Sequence, residues 1–199
     1  MNILHQRAAD CQALLDRTRI ADGLAPLLLR LYLAPVLLQA GWNKWQHFDS
    51  TVEWFGNADW GLGLPLPTLM ATLATSAELV GGGLLVLGLL VRWISVPLMI
   101  TMLVAIFAVH WPNGWLAVAD SSSWLANERV FEAADRLQKA REILQTHGHY
   151  DWLTGRGSIV ILNNGIEFAA TYFVMLLSLF FTGGGRFTSL DYWLARYWR

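Results

Sequence analysis

Residues 66–90, 93–111 and 161–181 are apolar runs long enough to cross a bilayer as helices, which takes about 20 residues each. A fourth run, residues 24–41, is shorter and carries Arg30, but the rest of it is nearly all aliphatic. Inside lipid the backbone must satisfy its own hydrogen bonds, which apolar runs of this length do as helices. The fold class that follows is an all-α membrane protein, a four-transmembrane-helix bundle. Composition agrees: 55% of the residues are hydrophobic and 15% charged, where soluble domains carry about 25% charged residues. Tryptophan gives an independent check. All eleven, at positions 42, 45, 54, 60, 93, 111, 115, 124, 152, 193 and 198, fall at the ends of these runs or outside them. That is the headgroup level, where an indole keeps its ring half buried and its N–H wet.

Two further segments read as amphipathic helices on the membrane surface. Residues 2–20 gather Ile3, Leu4, Cys11, Leu14 and Leu15 mostly on one face. Residues 123–146 do the same with Phe131, Ala134, Leu137 and Leu144, behind a Ser121–Ser123 cap. The organisation is thus an interfacial segment over residues 1–22 and a membrane domain over 23–199, with a helical insertion at about 121–147. Residues 1–22 carry three acids and no long apolar core, unlike a signal peptide. Four crossings put both termini on one side. The arginines nearest the spans on that side are Arg7, Arg17, Arg19, Arg92, Arg186, Arg196 and Arg199. By the positive-inside rule that side is cytoplasmic. The connections 42–65 and 112–160 then share the opposite side.

Some functions are excluded early. A net charge of −1 gives nucleic acid no electrostatic footing. Cys11 is the only cysteine, so no internal disulfide, CxxC pair or CxxCH haem site can form. Electron chemistry would need a bound cofactor, a partner or a quinone. His147 and His149 form an HxH pair beside His47 and His110, a pattern common by chance, and no metal site is assigned to it.

The informative residues are the polar ones inside or at the ends of the spans, because an ionisable group there costs roughly 3 kcal/mol unless paired or hydrated. They are Arg30, Lys44, Glu78, His110, Asn163, Asn164 and Glu167. Arg30, Ala34, Leu37, Gly41 and Lys44 share one face of the first span, in which Pro35 should produce a bend. Glu78 lies near the middle of the second span among Ala71, Ala74, Gly81 and Gly82. Asn163, Asn164 and Glu167 should share a face of the fourth. Arg30 cannot lose its charge, and Glu78 is the acid nearest its depth, so the two are expected within hydrogen-bonding range. The polar groups then trace a path from the non-cytoplasmic surface inward. The alternative is that they hold the helices together. Three glycines, Gly183–Gly185, should end the fourth span, with Arg186 and Asp191 capping it.

Four segments resemble the DoxX family of bacterial membrane proteins. Gly41-Trp-Asn-Lys-Trp45 is similar to its G-x-x-K element. Residues 77–92, with Glu78, Gly81, Gly82 and Arg92, are similar to its A-E-L-x-G-G-x-x-L-x-x-G-x-x-x-R core. Residues 105–115, with His110 and Gly114, are similar to the end of its third span. Residues 183–191 are similar to its G-x-G-R-x-S-L-D tail, with Thr188 as an extra residue. The resemblance implies a four-helix protein of the bacterial inner membrane. Some members resemble a subunit of a thiosulfate:quinone oxidoreductase, and others are described with redox-stress complexes.

Three functions are consistent with these readings. One is the membrane subunit of an oxidoreductase or redox-stress system, handling quinone or a small molecule in a polar pocket beside a soluble or membrane redox partner. The second is a carrier or binding protein for a small molecule or lipid, which would need to form a homo-oligomer. The third is a non-catalytic membrane anchor for a partner.

Overall fold

The structure is a computed structural model describing residues 3–198, with the side chains of residues 3–6, 8 and 9 outside that description. The reading of Ile3 and Leu4 as part of an apolar face lies outside the described residues, as does the place of Arg199. Every named element is helical: α1 (Ile3–Arg17), α2 (Leu24–Gln46), α3 (Phe48–Gly56), α4 (Pro67–Leu87), α5 (Val91–Val104), α6 (Glu128–His147), α7 (Tyr150–Thr154), α8 (Glu167–Thr182) and α9 (Leu190–Tyr197). A 3-10 turn, Thr18–Ala21, follows α1. A π-helical turn, Ala105–His110, and a 3-10 turn, Trp111–Asn113, prolong α5. Three helical stretches are long and apolar enough to span a membrane: Leu24–Gln46, Pro67–Leu87 and Val91–Asn113. The fourth apolar helix, α8, has 16 residues.

The chain forms two compact units, residues 1–100 with 174–199, and residues 101–173. The core of the first is the antiparallel pair α2 and α4. Its glycines set how closely the helices approach. A Cβ on Gly82 would come within 2.7 Å of Leu38 Cγ, and one on Gly41 within 2.9 Å of Leu79 Cγ. Gly81, one residue round from Gly82, faces Leu98 and Ile94 of α5 instead. The A-E-L-x-G-G pattern therefore serves two neighbours, with one glycine for each. Leu33, Ala34, Leu37, Ala71, Leu85 and Leu98 fill the interior. Large apolar residues such as Leu28, Leu73, Val80 and Phe181 point outward, as a hydrocarbon solvent permits. α2 continues through Pro35. α4 stops at Gly88, whose left-handed φ of +67° closes the helix with Leu89 N–H donating to Leu84 O at 3.0 Å.

In the second unit, residues 114–119 lie against 161–167 through main-chain bonds, including an antiparallel bridge between Val118 and Leu162. This corrects the predicted start of the fourth span: residues 161–166 are not helical, and α8 begins at Glu167. Asn164 is left-handed (φ +58°). A Cβ on Gly165 would collide with the carbonyls of Gly114, Trp115 and Leu116. An Asn-Asn-Gly run suits such a turn better than a first helical turn. The cap of α6 is also corrected. Asn127, not Ser121–Ser123, accepts the Val130 amide at 3.1 Å. Val130 and Ala133 are buried, and Ala134, Leu137 and Leu144 half-buried, whereas Phe131 is exposed.

Candidate functional site

Glu78 pairs with Lys44, not with Arg30. Lys44 Nζ donates to Glu78 Oε1 at 2.8 Å and Oε2 at 2.6 Å. The Glu78 side chain is 6% exposed and that of Lys44 26%, so the carboxylate is the more deeply buried partner. The G-x-x-K spacing explains the contact. Gly41 lets α2 approach the backbone of α4 beside Glu78. One turn later Lys44 is close enough to wrap its amine around the carboxylate. Thr75 lies one turn before Glu78 on α4, and its buried hydroxyl has no hydrogen-bond partner.

Arg30 is fourteen residues before Lys44, about 21 Å along a helix. That places it against the last turn of α4. It is fully buried and donates to Leu85 O at 2.8 Å, Val86 O at 3.3 Å and Thr188 O at 2.8 Å. Carbonyls of a last helical turn have no partner within their helix, and the dipole there favours a cation. The expectation of an Arg30–Glu78 pair failed because it counted only acids as partners for the guanidinium. Helix-end carbonyls are acceptors too, and the Gly88 stop in the sequence could have signalled them.

The tail completes this clasp. Asp191 accepts from Leu90 N at 2.7 Å and Val91 N at 2.9 Å, so it caps α5, not the fourth span as predicted. Its own amide donates to Gly88 O at 3.0 Å, and Thr188 Oγ1 to Gly23 O at 3.1 Å. The helix does end at Thr182, with Gly183 left-handed at φ +74°. The cation at that end is Arg92, whose Nε donates to Phe180 O at 2.9 Å, whereas Arg186 lies over the Phe187 ring.

The second unit gathers His110, Asn163, Asn164 and Glu167. His110 Nδ1 and Asn113 Nδ2 both reach Asn164 O, at 2.9 and 3.0 Å. Asn163 Nδ2 donates to Asn113 O at 2.8 Å and Leu116 O at 2.7 Å, leaving its buried Oδ1 without a partner. Glu167 Oε2 accepts from Ala117 N at 2.9 Å. The three residues predicted to share a helix face do not, because Asn163 and Asn164 precede the helix. The side chains of Asn163 and Glu167 bind main chain of residues 113–117, and Asn164 offers its carbonyl to His110 and Asn113. This cluster is a clasp. Among the described residues no three of His, Cys, Asp and Glu converge as metal ligands.

Long apolar helices, a charge pair between two of them and polar caps at their ends define a helical membrane protein. The DoxX family model matches residues 25–111, which hold Arg30, Gly41, Lys44, Glu78, Gly81, Gly82, Arg92 and His110. Over that stretch the chain is similar to the DoxX family, as its motifs implied. The chain is 32% identical over 83 residues to a protein of Bacillus subtilis (strain 168) named "Putative oxidoreductase CatD". The match covers 42% of this chain and 58% of that protein, so this chain spans little more than half of its relative's length. No solved structure matches.

Proposed function

We propose that this chain is the membrane subunit of an oxidoreductase, and that the Lys44–Glu78 pair is where it meets a lipid-soluble quinone. The observation that supports this most is a carboxylate 6% exposed between apolar helices, with its charge matched by the ammonium of a half-buried lysine. An ammonium has three N–H donors and Glu78 takes two, so one is left for a ligand oxygen. A quinone carbonyl docked there would be polarised. Reduction to quinol takes two electrons and two protons. The pair can hand a proton from Lys44 to the carbonyl oxygen and take another from water, the second proton reaching the other oxygen from solvent, while both electrons come from a redox partner. The name of the Bacillus subtilis relative agrees with this class of reaction. In this reading α8 completes a fourth crossing, the chain resides in a bacterial inner membrane, and its termini are cytoplasmic.

The test is titration of the purified protein with a short-chain quinone, followed by the thermal midpoint. Saturable stabilisation of the wild type, lost in Glu78→Gln and Lys44→Met, is the expected result. No stabilisation of any of the three would remove the quinone reading. The anchor reading remains as a second one, favoured by how many of the polar residues bind main chain.

A further inference from the structure

We propose that α9 lies flat in the headgroup layer as a binding surface for anionic phospholipid, with its apolar face on the acyl boundary and Arg196 on lipid phosphate. At helical spacing Leu190, Trp193, Leu194, Tyr197 and Trp198 share one side of this short segment. They are 43% to 87% exposed, too much apolar area in one place to leave in water. Leu190, Trp193, Leu194, Arg196 and Tyr197 together line an open notch, so Arg196 stands beside the apolar residues.

The depth of this surface is fixed by the clasp. Asp191, in the first turn of α9, is bonded to Gly88 O and to the first amides of α5. α9 therefore starts level with the ends of α4 and α5, where apolar helix gives way to turn. Trp93, 79% exposed at the start of α5, and Phe181, 70% exposed at the end of α8, belong to the same level. Aromatic rings at that height are the usual mark of the headgroup region. Trp193 has its N–H bonded to Phe187 O at 3.1 Å, so its exposed ring offers only apolar area.

Charge selects the lipid. Arg92, Arg186 and Arg196 are exposed at this end. Of the two carboxylates at this end, Asp191 is taken up by two amides, and exposed Asp22, next to the Gly23 that packs on Arg186, offsets one of the three arginines. The surface is therefore basic, and each arginine near an anionic headgroup layer should strengthen binding about fivefold.

The experiment uses the full chain in nanodiscs on a Cys11→Ser background. Leu194→Cys, Tyr197→Cys and Ala195→Cys are each labelled with a small environment-sensitive fluorophore. Quenching by lipids brominated on their acyl chains is then measured with phosphatidylcholine alone and with phosphatidylglycerol added. The proposal expects strong quenching at 194 and 197 and severalfold weaker quenching at 195. It also expects quenching at 194 to rise with phosphatidylglycerol, and Arg196→Gln to blunt that rise. Equal quenching at 194 and 195, or none at either, would overturn the surface. Quenching at 194 that ignores phosphatidylglycerol would overturn the choice of an anionic lipid.

Discussion

Lys44 and Glu78 stabilise the fold only as a pair, because each neutralises a charge the other could not carry alone between apolar helices. Removing one partner of a buried pair costs about 3–5 kcal/mol, more than removing both. Lys44→Met and Glu78→Gln should each lower the folded yield in detergent strongly, and the double variant should recover part of the loss. Additive losses would mean that the two residues act independently. Thr75 should behave in the opposite way. A buried hydroxyl without a partner costs about 1–3 kcal/mol, so the isosteric Thr75→Val should raise the thermal midpoint of the ligand-free protein. A lower midpoint would mean that the hydroxyl has an acceptor. The sequence shows that Glu78 needs a cation, but choosing between Arg30 and Lys44 requires the register of α2 on α4. The signal for that register is Gly41, the point where the helices can approach.

Glycines show the same logic at the level of elements. Gly82 and Gly83 are adjacent in α4, yet a Cβ on Gly83 would meet nothing within 4 Å. Gly83→Ala should be neutral or add about 0.5–1 kcal/mol through helix propensity. Gly82→Ala should destabilise, because Leu38 and the α2 backbone must move. Thermal unfolding of the two variants checks this, and equal midpoints would contradict the packing. Asp191→Ala should cost about 0.5–2 kcal/mol by uncapping α5, while Arg186→Ala should cost less. The long apolar helices were legible because length and hydropathy decide them. The start of α8 was not, because Ile161 and Leu162 extend the apolar run while residues 161–167 bond to 114–119 instead. That pairing is non-local, and the Asn-Asn-Gly turn is its only trace in the sequence.

On the scale of the whole molecule, the polar residues divide by role. Arg30, Arg92 and Asp191 complete helix ends in the first unit, and in the second Asn163, Glu167 and His110 bind main chain, His110 at the carbonyl of Asn164. The charged pair of Lys44 and Glu78 is set apart by lying between two apolar helices and keeping a free donor. The chain has two lysines, Lys44 and Lys139, which makes the site unusually easy to observe. Lys139 is exposed on α6, where its hydrogen bond to Glu142 raises its pKa above the usual lysine value. With 15Nζ-lysine label in lipid, the protein should give two ammonium resonances, assigned by Lys139→Arg. Adding a short-chain quinone should shift the Lys44 resonance saturably and leave that of Lys139 in place. A Lys44 signal that does not move at saturating quinone would contradict the assignment of this pair as the ligand site.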